Sequence, residues 1–425
     1  MLPAPNPQTV TENYDRAKEA YAAYDVDTDA ALERLAGVPI SLNCWQGDDV
    51  TGFEVREGSV EGGGIMATGG YPYRATNGDQ LRQDLDQAIR LIPGTARVNL
   101  HAIYAETEGK PVDRDALGPE HFSRWTEWAG ERGYGLDFNP SYFAHPKADG
   151  GYTLSSADDG IRKFWIDHGK ASRRIAAAMG KALKNPCCNN IWIPDGAKDH
   201  PVDRWGPRRR LVEALDEIFA EEMPADAIKD ALEGKLFGLG LEDYTVGSHE
   251  FYLAYCVRHG KILCMDMGHY HPTETITDKL SSILTQVDEV LLHVSRGVRW
   301  DSDHVVIFND EVRAFCHEIV RGGVLDRVLF SLDFFDASIN RAAAWVVGAR
   351  SFLKAMLNAL LEPTEKLRQL EAEGKGHAKL GLLQDLKLMP LGAVWNAFCL
   401  RHDVPPASGW IAEIDRYERE VLAGR

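Results

Sequence analysis

No apolar run in these 425 residues reaches the roughly 20 residues needed to cross a bilayer. The opening stretch M-L-P-A-P-N-P-Q-T-V-T-E-N has neither a basic segment nor an apolar core, so no secretion signal is expected and a cytoplasmic location is. Neither G-x-G-x-x-G nor G-x-x-x-x-G-K-[ST] follows any candidate strand, which argues against a dinucleotide or P-loop phosphate site. Positive charge is in short supply. Lys and Arg number 47 against 64 Asp and Glu, a formal charge of -17, which disfavours nonspecific nucleic-acid and anionic-membrane partners. The one dense basic run, R-W-G-P-R-R-R (204–210), reads as a solvated turn and helix start rather than a phosphate site. The seven cysteines are odd in number and contain no C-x-x-C pair. Several lie in apolar contexts, which suits reduced, buried thiols and excludes a disulfide scaffold or an iron–sulfur site.

What is present is a globular composition, 44% hydrophobic and 26% charged, long enough for a large core. Short apolar runs ending in polar residues recur: V-P-I-S-L-N (38–43), R-V-N-L-H-A-I (97–103), Y-G-L-D-F-N (134–139), N-I-W-I (190–193), the glycine-damaged K-L-F-G-L-G (235–240), K-I-L-C-M-D (261–266), V-L-L-H-V (290–294) and R-V-L-F-S-L-D (327–333). Stretches with apolar residues at helical spacing separate them, among them 78–92, 121–130, 158–180, 208–220, 251–259, 277–284 and 310–321. Eight strands alternating with helices predict an α/β fold, a (β/α)8 TIM barrel, with a doubly wound sheet as the competitor. The polar residue closing each run recurs too regularly for a single switch-point crevice. An N-terminal helix and a C-terminal all-helical extension flank the barrel. The expected division is 1–37 helical, 38–340 catalytic barrel and 341–425 helical extension. The tail is too rich in apolar faces to be a free linker, and is expected to pack on the barrel, across an oligomer interface, or both.

The chemistry concentrates in C-M-D-M-G-H-Y-H-P (264–272) and L-L-H-V-S-R-G-V-R-W-D-S-D-H (291–304). In a barrel, function sits at the C-terminal strand ends. Polar residues collected there include Asn43, His101, Asn139, Asp266, His293 and Asp333, with His269, Asp301 and Asp303 on the following loops. Carboxylate oxygens mixed with imidazole suit Mn²⁺, Mg²⁺, Co²⁺ or Zn²⁺. Taken singly, each has a plainer reading: His101 as a core or turn histidine, Asp301-Ser302-Asp303 as a solvated Asx turn. If 301–303 is locally extended, both aspartates point to one side and can grip one cation with His269. The remaining ligands leave room for a second ion. Glu233 and Lys235 flank the fifth run. The local pattern reads them as a helix end and favours Glu242 as a strand-end ligand, without deciding between the two glutamates.

Longer strings carry a resemblance. V-P-I-S-L-N-C-W-Q-G-D-D-V (38–50), R-V-N-L-H-A-I-Y (97–104), G-L-D-F-N-P-S (135–141), N-I-W-I-P-D-G-A-K-D (190–199), D-M-G-H-Y-H-P-T-E (266–274), L-L-H-V-S-R-G-V-R-W-D-S-D-H-V-V (291–306) and L-D-F-F-D-A-S-I-N-R (332–341) resemble the L-rhamnose isomerase family, from about residue 10 to the C-terminus. That family belongs with the xylose-isomerase-like barrels. The resemblance implies a homotetrameric aldose–ketose isomerase with a divalent metal at two sites per subunit, Mn²⁺ preferred. It implies a catalytic metal on His269, Asp301 and Asp303, and a structural metal on Glu233, Asp266, His293 and Asp333. Glu233-Gly234-Lys235 matches the family's E-x-K, which overrules Glu242 and starts strand five before residue 233, in the helical-looking D-A-I-K-D-A-L. Asp336 stands close enough to compete with Asp333. A sugar pocket on Trp45, His101, Trp192 and Lys235 is implied, although the two tryptophans also read as core packing. The match departs at Gly297, where proline is expected; no ligand is lost there.

The implied reaction interconverts L-rhamnose and L-rhamnulose. No carbon base stands out in the sequence, so a metal-assisted hydride shift between C1 and C2 after ring opening is expected over an enediol route. His101 would assist ring opening, Lys235 would add positive charge near O1, and Asp303 would serve movement of the hydroxyl proton. The rival readings are a barrel metalloenzyme acting on another sugar, such as an epimerase or broad-specificity isomerase, and a non-catalytic sugar-binding protein. The second has no need of seven ligand candidates at strand ends.

Overall fold

The computed structural model describes residues 5–54, 67–238 and 240–425. Eight parallel strands close into a barrel: β1 (Pro39–Asn43), β2 (Thr95–His101), β3 (Gly135–Asn139), β4 (Cys187–Ile191), β5 (Ile228–Glu233), β6 (Ile262–Asp266), β7 (Val290–Val294) and β8 (Val328–Leu332). Neighbours in sequence are neighbours in the wall, and β8 returns to β1 through Ser41–Ser331 and Leu42–Leu332. The barrel expectation holds, and the doubly wound alternative falls.

Side chains alternate across the wall. Leu42, Val98, Leu136, Phe138, Leu232, Leu263, Leu292 and Phe330 join the large apolar core under the helices. The opposite face lines the barrel interior, and it is unusually polar. Ser41 donates to Asp137, Arg97 pairs with Asp137 at 2.8 Å, and Ser331 donates to Asn43. Only a small cluster, Cys188, Ala231, Ile262, Cys264 and Leu291, is apolar on that side. Above it, at the C-terminal strand ends, lie the ionisable groups.

Two strands differ from expectation. β4 starts at Cys187 and ends at Ile191, upstream of the N-I-W-I run. β5 is Ile228–Glu233, while the residues described in 235–240 form no strand. The local pattern failed because β5 carries charge on both faces. Asp230 faces the helices, where Arg173 meets it at 3.0 Å and Lys261 at 3.2 Å, and Lys229 reaches Glu289 at 2.6 Å. I-K-D-A-L-E therefore lacks the apolar periodicity of a strand, and long-range ion pairs make it one.

The helices follow the sequence closely. Asn6, Asp27, Asn77, Asp158, Asn309 and Asn340 cap α1 (Pro7–Ala22), α2 (Thr28–Ala36), α3 (Gly78–Ile89), α5 (Asp159–Leu183), α9 (Asp310–Gly322) and α10 (Arg341–Leu360) through side-chain oxygens. Between them run α4 (Ser123–Arg132), α6 (Trp205–Phe219), α7 (His249–His259) and α8 (Thr277–Leu284). The tail continues as α11 (Thr364–Ala372), α12 (Gly376–Asp385), α13 (Leu391–Arg401) and α14 (Trp410–Glu420). It is tied down. α13 packs on α1, α10 packs on α9, α2 and α3, and Arg425 and Tyr417 both bond Asp84. All seven cysteines are buried and free. Among the described residues no helix is long and apolar enough to cross a membrane.

Asp230→Ala leaves Arg173 buried without its carboxylate and is expected to cost about 3–5 kcal/mol of unfolding free energy. Adding Arg173→Met should restore much of that loss. Denaturant midpoints of the two variants check it, and an additive loss in the double variant would contradict it.

Candidate metal centre

The strands deliver the site as rigid ends. Glu233 closes β5, Asp266 closes β6, His293 is the fourth residue of β7, and Asp333 follows β8. Register sets Asp266 directly beside His293 across the β6–β7 pair. His293 Nδ1 lies 2.9 Å from Asp333 Oδ2, 3.3 Å from Glu233 Oε2 and 3.6 Å from Asp266 Oδ2. The four residues form one group of donor atoms mutually within 4.8 Å. Asn43 Nδ2 and Trp45 Nε1 donate to Asp333 Oδ1, and Asn190 Nδ2 donates to Glu233 Oε2. These donors orient the two carboxylates: Asp333 turns Oδ2 towards His293, and Glu233 Oε2 takes Asn190 on one side and His293 on the other.

A second group shares Asp266. Asp266, His269 and Asp301 also bring donor atoms within 4.8 Å of one another. His269 Nε2 is 3.4 Å from Asp301 Oδ2, and Lys235 Nζ is 2.6 Å from the same oxygen. Glu233 touches both groups, its Oε1 being 3.0 Å from His269 Nδ1. Asp303 stands apart from the compact trio. Its backbone takes φ 43°, so 301–303 is not the locally extended segment on which a shared side by simple alternation rested. Asp303 instead lines the pocket with His269 and Asp333.

The electrostatics are those of a site built for positive charge. Burial works against the ionised Glu233 carboxyl, yet His293 and His269 hold its pKa down to about 2. Burial likewise opposes charge on the imidazoles, but Asp266 and Asp301 keep His269 well above the usual histidine range. Cys264, Glu233 and Asp333 do the same for His293. Asp303 moves the other way, pushed well up by burial and by Asp301, Asp266 and Asp333. Asp266 Oδ2, both ring nitrogens of His293 and Asp301 Oδ1 are buried with no regular hydrogen bond, His293 Nδ1 meeting its carboxylates only as ion pairs. Buried polar atoms in native proteins are nearly always satisfied, and a divalent cation satisfies these. The residues fit a metal.

Beside the ligands is an aromatic-walled pocket. Trp45 and His101 meet edge-on at 4.2 Å, His101 and Phe143 at 5.5 Å, and Phe143 and Trp192 at 6.2 Å. Lys235 Nζ sits 5.2 Å over the Trp192 ring. Burial drives His101 down to about 3, so its imidazole is neutral, with Nδ1 3.2 Å from Ser141 Oγ. Thus Trp45, His101, Trp192, Lys235, Glu233, His269, Asp303 and Asp333 line one cavity. Glu242 is exposed and bonds Gly240, and Asp336 is engaged by Gln46 and Ser338, so neither joins a ligand group. His271 bonds Thr273 at the surface, and His304 pairs with Arg296 through the backbone. Sequence reasoning missed Asn190, Phe143, Val50 and Phe335 as site residues. It also missed Cys264, whose sulfur lies within 4.8 Å of His293 and Glu233 donor atoms. Asn190 and Cys264 sit at inward positions of β4 and β6, and strict period-2 reading of the correct strand would have exposed both.

A family model described as L-rhamnose isomerase matches residues 8–425. L-rhamnose isomerase of Rhodopirellula baltica is 56% identical over 98% of this chain and 97% of its own length. That of Escherichia coli K12 is 56% identical over 97% of this chain and 98% of its own. A solved L-ribulose 3-epimerase shares 11% identity over 78% of this chain and 97% of its own, with a TM-score of 0.49, a likeness too slight to carry an activity.

Because His269 and His293 have raised values in the ion-free protein, their ion pairs stabilise it fully below about pH 6.5 and fade as pH rises through those values. An entering cation must displace the protons. Metal uptake by chelator-stripped protein at pH 7 should therefore acidify unbuffered solution, with affinity rising as pH rises. Uptake without proton release in a pH-stat would contradict this.

Proposed function

The chain belongs to the L-rhamnose isomerase family, and from that premise we propose how its pocket works as a metal-dependent aldose–ketose isomerase interconverting L-rhamnose and L-rhamnulose. One observation carries the reading: two ligand groups sharing Asp266 open beside a pocket with aromatic walls. Glu233, Asp266, His293 and Asp333 would hold a structural ion. His269 and Asp301, with Asp303 from the pocket side, would hold the catalytic one. Oxygen and imidazole donors favour Mn²⁺, with Zn²⁺, Co²⁺ or Mg²⁺ as the other ions such a set accepts. Divalent cations held there supply electrophilic stabilisation of the charge that develops on the sugar oxygens O1 and O2.

The chain's own groups do the rest. Trp45, Phe143 and Trp192 give flat apolar walls to the sugar and exclude water. His101, neutral at working pH, can pass a proton between the ring oxygen and the anomeric hydroxyl without carrying net charge, which suits ring opening. Lys235 stays ionised because Asp301 outweighs the cost of its burial, and so places a fixed positive charge near O1. In the isomerisation, the hydrogen on C2 moves with its electron pair to C1 while a proton passes from O2 to O1. Asp303, which lines the pocket beside His269 and Asp333, is placed to orient the group that carries that proton. Every other carboxylate of the site faces a ligand position or Lys235, which leaves none free to strip the C2 proton as an enediol route requires.

The tail and N-terminal segment, 341–425 and 1–37, would pack on the barrel and supply contacts between subunits of a homotetramer. A cytoplasmic location fits the seven free thiols.

Isomerisation in deuterated water is expected to give product with little solvent deuterium at C1. Near-complete labelling there would exclude the direct shift. Asp301→Asn is expected to stay folded, lose at least about 10-fold in metal affinity and lose activity. Full activity of that variant after exhaustive chelation would overturn the metal assignment. Since His101 is already neutral, the acid limb of the kcat/KM profile should be unchanged in His101→Asn even though kcat/KM falls. A shifted limb would assign a titrating role to His101.

A further inference from the structure

We propose that His249, which belongs to neither ligand group, is a positioning residue for His269 and is required for tight binding of the ion held by His269 and Asp301. This rests on the reading above that those two residues hold an ion.

His249 is the first residue of α7, and the α7 N-terminus packs directly behind the exit of β5. Its Nε2 lies 2.8 Å from the carbonyl oxygen of His269. A carbonyl oxygen only accepts, so Nε2 is the protonated nitrogen. The Leu236 N–H donates to the same oxygen at 3.1 Å. Both acceptor directions of the His269 carbonyl are therefore taken, which fixes the peptide that carries the ligand. The His249 ring is itself fixed, stacked on Tyr270 at 4.0 Å with only 7° between the planes.

The ring of His269 is fixed from the other side. Its Nδ1 is 3.1 Å from the carbonyl oxygen of Gly234, so Nδ1 is a donor and Nε2 is left to present its lone pair beside Asp301. Gly234 makes both contacts compatible. A Cβ there would lie 2.8 Å from His249 Nδ1 and 3.0 Å from its Cα, so a larger residue would force His249 to shift away from the strand end. The middle residue of Glu233-Gly234-Lys235 thus serves the metal site without bearing a ligand.

The choice of donor has an electrostatic reason. A lysine or arginine at this place would also satisfy the carbonyl, but would set a positive charge close to an incoming cation. An imidazole donates to the same carbonyl through one ring N–H and needs no full charge to do so.

The test uses the full chain, stripped by chelator and titrated calorimetrically with Co²⁺, with the visible absorption of the ion followed in parallel. His249→Phe keeps a ring for Tyr270 but removes the donor. His249→Gln keeps a donor of similar reach. The phenylalanine variant should lose about 10–100-fold in affinity for one class of Co²⁺ site, the class abolished by His269→Ala, and keep the other. The glutamine variant should stay within about threefold of wild type. Thermal unfolding of the ion-free variants separates a local loss from a global one, and His249→Ala replaces the phenylalanine variant if that does not fold. Wild-type affinity in His249→Phe, or equal losses in Phe and Gln variants, would overturn the inference while leaving the metal assignment standing. Two intact classes in His269→Ala would instead overturn the assignment itself, and the inference with it.

Discussion

The constraint on which the site depends is mutual repulsion among carboxylates that cannot escape to water. Glu233, Asp266, Asp301, Asp303 and Asp333 converge at one end of the barrel, with Lys235 and two imidazoles as the positive groups among them. In the ion-free molecule the charge is managed by protons. His269 and His293 keep theirs far above the ordinary range, and Asp303 takes one that a free carboxyl would give up. A divalent cation would relieve the same repulsion, because buried oxygens and nitrogens of the ligand groups already face inward. Proton load and metal load are therefore alternatives, which ties the chemistry of the pocket to its occupancy.

The remainder of the fold can be seen as a frame for that repulsion. A TIM barrel interior is usually filled with branched apolar residues. Here only the small cluster of Cys188, Ala231, Ile262, Cys264 and Leu291 is apolar, and Ser41, Arg97, Asp137 and Ser331 take inward positions. The polar filling supplies second partners for the ligands: Ser331 orients Asn43, which holds Asp333. Apolar adhesion is left to the outer wall and the helices.

That division explains what was legible in the sequence. Six strands could be read in place because their outward residues are mostly Leu, Ile, Val and Phe, while β4 begins three residues ahead of the N-I-W-I run that marked it. β5 could not, since Lys229 and Asp230 are matched by Glu289, Arg173 and Lys261, partners 31 to 60 residues away. Local periodicity carries no record of such pairs, and the longer string match to a family placed Glu233 where the local pattern preferred Glu242. Asp303 marks the opposite failure. D-S-D invites an extended reading, but a left-handed residue breaks it, and the Asp303 carbonyl accepts from the Phe335 N–H. Asn190 was hidden by the misplaced start of β4, and His249 bears no pattern at all, because its role arises only when β5 and α7 meet.

The two ligand groups also differ in how they are held. Glu233, Asp266 and His293 lie within strands, and Asp333 is one residue past its strand, with its amide bonded to Val294 in the neighbouring strand. Backbone ladders on both sides fix them. His269 ends a short 3-10 turn after β6 and Asp301 and Asp303 lie on the loop after β7, where strand ladder bonds are absent and other contacts must replace them. Loop ligands have more conformational freedom to lose on binding, so an ion there is held less tightly for the same donor set. Under the proposed assignment a catalytic ion would benefit from that, its ligands giving way as oxygens of the sugar enter and leave, while the strand-held group would keep the barrel mouth in one shape. The fold thus separates permanence from exchange by placing one group on strands and the other on the loops that follow them, with Asp266 at the junction belonging to both.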